Sequence, residues 1–315
     1  MDASPSTLAI AYGADLLIGD PLWFPHPVRA MGFAIHWGEA LLRRVFRWER
    51  VAGALLVVAV VGASYASTHW LLGRLTQQAP VWGFAAGAVL LFSCLSTKDL
   101  AHESRNVLKA LEADDLPKAR RQVARIVGRD TQQLDVRAIV RATIETIAES
   151  TLDGIVSPLC FFVVGGVPLA VAYKAINTLD SMIGHRSARY LRFGHIAALV
   201  DTMANWLPAR LCAGLFTVAA GVSGRRALMS WRCAWRDGHG GPVPNAGIPE
   251  AAMAGALGVQ IGGTNYYEGR PVEMPLMGEP LQPLEPARIR EAIHLMYACS
   301  FVTWLAALTI ILITH

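Results

Sequence analysis

A stripe of ionisable side chains along one predicted helix is the strongest sign of chemistry in this 315-residue sequence. Arg141, Glu145, Glu149 and Asp153 follow one another at intervals of four, which places them on one face of a helix. A solvated ion-pair stripe explains Arg141 and Glu145 without any function. It explains the last two less well, because they stand where the chain enters an uncharged segment and carboxylates are costly beside lipid.

Glu149 and Asp153 are the candidate metal ligands. Hard oxygen ligands near a glycine, here Gly154, suit a magnesium ion, which takes one or two carboxylates and fills its shell with substrate phosphates. The part of 98–153 that precedes this helix has the amphipathic pattern of a helical hairpin packed on the membrane face. From the residues alone, a magnesium site and a structural stripe both remain open.

A second polar tract, 174–205, lies between two apolar segments. Lys174, Asn177 and Ser181 share a helical face at spacings of three and four, and Asp180 is adjacent. Further on, Asp201 and Asn205 again stand four residues apart, which places a carboxylate and an amide one helical turn from each other. A transporter would carry such groups at mid-membrane, so their position favours an active site at the membrane face.

The third polar tract, 225–291, combines arginines, tryptophans and glycines. Trp231 and Trp235 stand among four arginines, a pattern typical of an interfacial helix. The string PNAG, which includes Asn245, precedes a small-residue helix and then the string GGTNYY, which includes Tyr266. Glycines allow close backbone approach and a helix N-terminus can hold an anion, although a turn-rich connector explains the same pattern. No GxxxxGK[ST] loop is present.

The composition indicates a membrane protein. Hydrophobic residues make up 53% of the chain and charged residues 17%, against roughly 25% charged in soluble domains. A net charge of +4 without a concentrated basic region excludes nucleic-acid binding, and the high apolar content excludes disorder. The five cysteines form no CxxC pair, which indicates reduced, buried thiols.

Five stretches lack charged residues or nearly so, and each is a candidate membrane segment because a spanning helix needs about 20 apolar residues. They are 51–72, 75–97, 154–173, 206–223 and 292–315. The first two form a tight hairpin around Arg74. The third contains Gly165, Gly166 and Pro168, which predict a broken or re-entrant helix. The predicted fold is an all-α polytopic membrane protein, one domain over 1–315, with functional loops 98–153, 174–205 and 225–291.

Basic residues orient the first hairpin. Residues 1–50 hold five, the hairpin turn holds one, and 98–153 hold ten. Because basic residues concentrate on the cytoplasmic side, both ends of the hairpin are expected to face the cytoplasm.

Several longer strings resemble the adenosylcobinamide-phosphate synthase (CobD/CbiB) family. The opening run ADLLIGDP at 14–21, followed by PHPVR and MG, is similar to the start of that family. The later strings occur in the family's order and near its spacing. They are IVGRDT (126–131), ETIAESTLDG (145–154), NTLDSMIG (177–184), DTMANWLPAR (201–210) and PNAGIPEAAMAGALGVQIGG (244–263). Together they cover the chain from Asp15 to Tyr267.

The resemblance implies a multi-pass enzyme of the bacterial inner membrane with cytoplasmic active-site loops. Its implied reaction joins adenosylcobyric acid, an adenosylated corrinoid, to (R)-1-amino-2-propanol O-phosphate or a close amino-alcohol phosphate, with ATP hydrolysed as the amide forms. Magnesium is the implied metal activator. The implied partners are these substrates, the lipid bilayer and other cobalamin-assembly membrane enzymes, and no nucleic acid.

The site roles are assigned on this basis as hypotheses. The carboxylates are candidates for magnesium binding or for the base, with Glu149 and Asp153 as the metal ligands: Glu145, Glu149, Asp153, Asp180 and Asp201. Cations and polar groups are candidates for gripping phosphates or positioning substrate: Arg129, Asp130, Lys174, Asn177, Arg186, Arg189, Asn205, Asn245 and Tyr266. The cluster of Asp15, Asp20, His26 and Arg29 is either a structural clasp or a wall of the site.

Two alternatives come from other classes. A non-catalytic membrane sensor of this fold would keep the glycine and apolar pattern but lose the carboxylates, which are present here. A corrinoid transporter predicts ionisable groups inside the spans, which the uncharged hairpin lacks.

Overall fold

The structure, a computed structural model, describes residues 3–21, 26–185, 187–241 and 245–314. Arg186, a predicted phosphate-binding residue, lies outside these ranges. The helices before the third apolar segment are α1 (Pro5–Leu17), α2 (Pro27–Val45), α3 (Glu49–Gln78), α4 (Pro80–Phe92), α5 (Thr97–Glu112), α6 (Leu116–Val123) and α7 (Val136–Thr151). A π-helical turn (Leu152–Val156) then leads to α8 (Ser157–Ile183), α9 (His195–Ala204), α10 (Trp206–Val222), α11 (Ala227–Asp237), α12 (Gly247–Leu257), strands β1 (Gln260–Tyr267) and β2 (Arg270–Gly278), and α13 (Pro286–Thr314).

Within the described residues, four helical runs are long and apolar enough to span a bilayer. They are Glu49–Gln78, Pro80–Glu112, Val136–Ile183 and Pro286–Thr314. Two shorter apolar helices, α9 and α10, lie between the last two runs. The predicted fold class is confirmed: this is a predominantly helical, polytopic membrane protein.

The chain divides into two compact units. Unit 1 contains 1–96, 157–206 and 304–315, and unit 2 contains 97–156 and 207–303. The expectation of one membrane domain with five apolar segments and three functional loops stays a prediction.

Unit 1 is a helical bundle built around α3. This helix packs against α2, α4, α8 and α9, and α1 packs on α4. A Cβ atom at Gly53 would lie 1.8 Å from the carbonyl oxygen of Phe193, so only glycine lets α3 approach the chain this closely there. The turn between α3 and α4 lies at Ala79 and not at Arg74, because Pro80 is suited to the first turn of a helix and not to its interior.

The break expected in the third apolar segment is present in α8. The backbone of Gly165 (φ −146°, ψ 23°) and Gly166 (φ 66°, ψ −163°) leaves the helical region, three and two residues before Pro168. Proline has no N–H for the helical ladder, and the two glycines adopt the irregular angles at low cost. The segment is therefore two half-helices in sequence.

Unit 2 is organised around α12, a helix of small residues that is buried along its length. Helices α7 and α11 and both strands pack on it, and α5 packs on α6 and α7. The strands form an antiparallel hairpin with an irregular register between Ile261 and Gly263. A Cβ at Gly262 would lie 2.0 Å from the carbonyl oxygen of Pro275, and φ there is +92°, so the irregularity depends on glycine.

Candidate active site

Glu145 is the centre of a buried polar cluster in unit 2. Helix α7 is N-capped by Asp135, whose Oδ1 accepts a hydrogen bond from the backbone N–H of Ala138 at 2.7 Å. The helix carries Glu145 on its inner face, where the residue is 6% exposed. Oε1 of Glu145 accepts from the backbone N–H of Gly262 at 3.0 Å, and Oε2 pairs with the guanidinium of Arg129. The carboxylate thereby joins α7 to the hairpin.

Two arginines fasten the hairpin to this cluster. Arg129 donates to Oδ1 of Asn265 at 2.6 Å in addition to its carboxylate partner. Arg141 donates to the carbonyl of Gly262, to the carbonyl of Thr264 at 3.0 Å, and to Oδ1 of Asn265 at 2.9 Å. Both guanidinium groups are thus largely engaged within the protein. Positioning is the role this geometry supports for Arg129, and phosphate binding by it stays a prediction.

Asp130 holds the turn of the hairpin. Its backbone N–H donates to the carbonyl of Tyr266 at 2.8 Å, and its Oδ2 accepts from the backbone N–H of Gly269 at 2.8 Å. Gly269 has a φ of 74°, in the left-handed region that favours glycine. The Tyr266 side chain is 49% exposed, so its ring is available to a ligand.

Glu250 is the functional candidate that the sequence interpretation missed. It lies in α12, is 7% exposed, and within the described ranges no donor to its carboxyl group is found. Burial, followed by the charges of Glu145 and Glu149, raises the pKa of Glu250 well above its ordinary value, while Arg129 acts in the opposite sense. The signal was a lone charge: Glu250 is the sole Asp, Glu, Lys or Arg in 238–267.

The outer carboxylates of the stripe differ from Glu145 in exposure. Glu149, one turn further along α7, is exposed, whereas Asp153 is half-buried. Asp153 belongs to the π-helical turn, whose wider winding interrupts the four-residue repeat that placed it on the stripe. π-helical turns occur frequently at functional sites.

Glu149 and Asp153 are the carboxylates that could hold a magnesium ion. Among the described residues, no group of three or more His, Cys, Asp or Glu side chains is arranged to hold a metal ion. Magnesium does not require one, because it takes one or two carboxylates and completes its octahedron with water and phosphate oxygens. The carboxylates of Glu149 and Asp153 fit that requirement chemically.

Asn205 is a polar hub in unit 1. It is 2% exposed, and its Oδ1 accepts from Oγ of Ser157 at 2.6 Å and from the hydroxyl of Tyr173 at 3.0 Å. Its Nδ2 donates to both carboxylate oxygens of Asp201, at 3.2 and 3.1 Å. The predicted pair is therefore in direct contact, and Asn205 fixes Asp201 in place.

Three predicted residues lie along the second half of α8. Lys174, Asn177 and Asp180 are half-buried there, as the helical spacing requires. The carbonyl of Asn177 accepts from Oγ of Ser181 at 2.8 Å, so that serine is satisfied locally. The structure places these side chains in unit 1, together with Asp201.

Arg189 is engaged by a buried carboxylate. Its Nη2 and Nε donate to Oε1 of Glu39 at 3.0 and 3.2 Å. Glu39, 5% exposed, also accepts from Nε of Arg43 at 2.9 Å and from the hydroxyl of Tyr190 at 3.4 Å. The Arg189 side chain is 67% exposed despite this pairing. An anion could still approach it, and phosphate binding stays a prediction.

His26 gives the N-terminal cluster a structural role. Its Nδ1 accepts from the backbone N–H of Val28 at 3.2 Å as the N-cap of α2, and its Nε2 lies 3.3 Å from Oδ2 of Asp20. Both ring nitrogens of His26 are occupied in this way. The contacts favour the clasp over the wall of a site for this pair.

Predicted site residues that are far apart in the sequence of unit 2 meet at the hairpin of β1 and β2. Arg129, Asp130, Glu145 and Tyr266 all contact the hairpin or form part of it. Asn245 is 6% exposed, and its carbonyl accepts from the first turn of α12, the helix that carries Glu250. Unit 2 thus gathers a carboxylate-rich site around α7, α12 and the hairpin.

Comparison with known proteins identifies the family. A family model described as CobD/Cbib protein matches residues 8–296. The chain belongs to the CobD/CbiB family. The motif resemblance is thereby confirmed.

Relatives within the family match over nearly their whole length. A cobalamin biosynthesis protein CobD of Geobacter metallireducens is 47% identical over 300 residues, covering 95% of this chain and 94% of the relative. The cobalamin biosynthesis protein CbiB of Salmonella typhimurium is 41% identical over 297 residues, covering 92% of each. A CobD protein of Listeria monocytogenes is 39% identical over 302 residues, covering 95% of this chain and 96% of the relative. No solved structure matches the chain.

Proposed function

We propose that this protein forms the amide between adenosylcobyric acid and (R)-1-amino-2-propanol O-phosphate, or a close amino-alcohol phosphate, with hydrolysis of ATP, giving adenosylcobinamide phosphate. Membership of the CobD/CbiB family, whose relatives bear the name cobalamin biosynthesis protein, supports a role in cobalamin biosynthesis. The structural observation that carries the catalytic part is the buried carboxyl of Glu250 beside Glu145 and Glu149.

The reaction sets clear demands on the protein. A carboxylate must be activated, most simply by transfer of the γ-phosphoryl group of ATP to one of its oxygens. The amine nitrogen then attacks the acyl carbon, and phosphate leaves with the electron pair of the broken C–O bond. The substrate ammonium gives up one proton before attack and a second as the amide forms. The site must therefore accept protons and neutralise phosphate charge.

Glu250 is the proposed proton acceptor. An efficient general base has a pKa near the working pH, and an ordinary exposed glutamate is too weakly basic. Burial and the neighbouring charges of Glu145 and Glu149 move the pKa of Glu250 in the required direction. Because Glu145 is held by Arg129 and by the amide of Gly262, it serves better as a fixed negative charge.

Glu149 and Asp153 are the proposed ligands of the magnesium that accompanies ATP. When bound, magnesium neutralises the transferring phosphoryl charge. Glu149 is exposed on α7 and Asp153 is half-buried in the π-helical turn, so neither carboxylate is enclosed by the protein as Glu145 is. Their part is to hold and orient the ion.

The remaining predicted residues are proposed to bind substrate. Lys174, Arg186 and Arg189 would grip phosphates, since cationic side chains match phosphate charge and guanidinium forks match its geometry. Asp180 and Asp201 are the rival carboxylates for base or metal. Polar positioning is proposed for Asp130, Asn177, Asn205, Asn245 and Tyr266.

The proposed location is the bacterial inner membrane, with the polar tracts on the cytoplasmic side. The long apolar helices support the membrane part, and the basic residues of 1–50 and 98–153 support the orientation. A large, partly apolar corrinoid suits a site at the membrane face. Association with other membrane enzymes of cobalamin assembly belongs to the same proposal.

The test is a reconstituted reaction. Detergent-solubilised protein is incubated with adenosylcobyric acid, the aminoalcohol phosphate, ATP and magnesium, and the amide is sought by mass spectrometry with ADP and phosphate release measured in parallel. We expect one amide per ATP consumed, and no product when ATP is replaced by a non-hydrolysable analogue.

Proteoliposomes separate the enzyme from the transporter alternative. Uptake of adenosylcobyric acid into vesicles without amide formation would favour transport. A folded sample that forms no amide from authentic substrates would refute the enzymatic proposal.

A further inference from the structure

Helix α11 in unit 2 presents an exposed aromatic face. Leu228, Trp231 and Trp235 are 61%, 42% and 41% exposed, and their spacing of three and four places them on one side of the helix. The opposite side, with Cys233 and Ala234, is buried against α12. The helix is therefore anchored on one face and apolar on the face that it leaves uncovered.

An arginine without an acidic partner lies on the same exposed face. Arg232 is exposed, and within the described part of the chain no carboxylate pairs with it. Its neighbours are otherwise engaged: Arg236 pairs with Asp237 at 2.6 Å and with Glu279 at 2.9 Å, and Arg225 pairs with Glu291 at 2.8 Å. Arg232 is the cation of this face that is available to an external anion.

The aromatic rings of α11 pack against one another and against His239. Trp231 and Trp235 meet edge to face with centroids 5.4 Å apart, and Trp235 stacks on His239 at 5.7 Å. With Arg232 and Arg236 the two tryptophans line an open hollow of about 700 Å³. A shallow hollow with indole walls and a guanidinium at its rim has the chemistry of the bilayer interface, where tryptophan sits at headgroup level.

The helix that precedes α11 in the chain is apolar. Helix α10 is apolar, with Val218 and Val222 51% and 72% exposed at its end, and it connects to α11 through a turn at Gly224, whose φ is +66°. An amphipathic basic helix that follows an apolar helix directly is suited to lie in the plane of the interface.

We propose that the exposed face of α11 lies in the headgroup layer of the membrane and binds anionic phospholipid, with Leu228, Trp231 and Trp235 among the upper acyl chains and Arg232 on a lipid phosphate. The site is separate from the carboxylates proposed for catalysis. It predicts a preference for phosphatidylglycerol over phosphatidylcholine at this helix.

The experiment measures contact between these tryptophans and lipid. Full-length protein is reconstituted in phosphatidylcholine vesicles with or without phosphatidylglycerol, each carrying a lipid-attached quencher near the headgroup. Fluorescence of the variant Trp231→Phe/Trp235→Phe is subtracted from wild type, which isolates these two of the nine tryptophans. We expect quenching of the difference signal, stronger with phosphatidylglycerol and weakened by salt.

Arg232→Gln tests the charge, and Arg121→Gln is the matched control. Arg121 is an exposed arginine of α6, also in unit 2, on a helix with no large exposed apolar residue among those described. Arg232→Gln should lower the preference for phosphatidylglycerol about five-fold, the effect of one basic side chain near an anionic surface. Arg121→Gln should leave the preference unchanged.

Two results would overturn the proposal. The first is a difference signal that aqueous iodide quenches and the lipid quencher does not. This result would show that the face is exposed to water, where it would bind a soluble ligand or partner. The second is equal quenching in both lipids with no effect of Arg232→Gln, which would remove anionic recognition.

Discussion

Replacing Glu250 by glutamine should slow turnover strongly and at the same time stabilise the protein at neutral and alkaline pH. Glutamine has the shape of a protonated glutamate and cannot ionise. If Glu250 accepts the ammonium proton, its loss should lower kcat by about 10² to 10⁴, the usual contribution of a general base. The binding of substrates should change little.

The stability part follows from the direction of the pKa shift. The unfolded chain exposes Glu250 at its ordinary pKa, whereas burial and the charges of Glu145 and Glu149 raise the pKa in the folded protein. The folded state therefore holds this proton more tightly. The stability that the Glu250 proton contributes is complete below the pKa of Glu250 in the unfolded chain and is lost as the pH rises through its pKa in the folded protein. Between these two pKa values the loss is up to about 1.4 kcal/mol per pH unit.

Glu250→Gln removes that loss. Its free energy of unfolding should exceed that of wild type above the window, and the difference should vanish below it. The variant gains about 1.4 kcal/mol over wild type for each pH unit between the unfolded and the folded pKa of Glu250. Since about 1 kcal/mol shifts the melting temperature 2–4 °C in a domain of 150–250 residues, each of these pH units should raise the melting temperature of the variant above that of wild type by a few degrees.

The assay pairs thermal melts with kinetics over a pH series. Protein in detergent is melted from pH 4 to 9 and assayed for amide formation across the range where it is folded. Glu273→Gln is the matched control: it makes the same chemical change in unit 2, at an exposed carboxylate that accepts from Thr264 at 2.8 Å. The control should show neither the kinetic loss nor the alkaline stabilisation.

Two outcomes would refute the reasoning separately. Wild-type kcat with an unchanged pH profile in Glu250→Gln would show that Glu250 is not the base. A melting temperature below that of wild type at pH 8 would show that the buried carboxyl does not oppose folding.

Three further tests of the geometry use thermal unfolding of substituted proteins. Arg129→Met should destabilise the protein by about 3–5 kcal/mol because it leaves the buried Glu145 carboxylate without its guanidinium partner. Adding Glu145→Gln should restore part of this loss, and no restoration would contradict the pairing of the two side chains. Gly262→Ala should cost at least about 1–3 kcal/mol, since its Cβ would meet the carbonyl of Pro275 at 2.0 Å at a positive φ, and a neutral effect would show that the hairpin relaxes. Asn205→Ala should cost about 1–3 kcal/mol by leaving buried partners unsatisfied, and Asn205→Asp, which keeps the acceptor, should not match wild type either.

The helical part of the fold could be predicted because long uncharged stretches and glycine-proline clusters determine the local structure of the chain that contains them. Gly165, Gly166 and Pro168 break α8 through their own backbone preferences, whatever surrounds them. The hairpin of β1 and β2 was not predicted. Its strands are short, contain several glycines and prolines, and show no regular alternation, and they are stabilised by packing on α12 and by Arg141 from a distant helix.

The candidate site shows the same division. The four-residue spacing predicted that Glu145 and Glu149 share a face of α7, which is a local property of a helix. That Arg129 would be held by Glu145 and Asn265 is a tertiary fact, since Asn265 is 136 residues away in sequence. Glu250 was missed because a single carboxyl in a small-residue helix has no partner at helical spacing, although its isolation among apolar residues was itself informative.

The contrast between Glu145 and Glu250 explains how one residue type can fill two roles within unit 2. Glu145 has a guanidinium and a backbone N–H as partners, so both of its oxygens are in use. Glu250 is equally buried, and within the described ranges no donor reaches it, so the charges nearby favour its protonated form. Two carboxyl groups whose surroundings differ in this way divide into a fixed anion and a proton carrier. A buried carboxyl of that kind must release its own proton to solvent before it can act as a base. The positive charge of a bound substrate ammonium favours that release, because a nearby cation lowers the pKa of a carboxyl group. Proton transfer is in this way coupled to substrate binding.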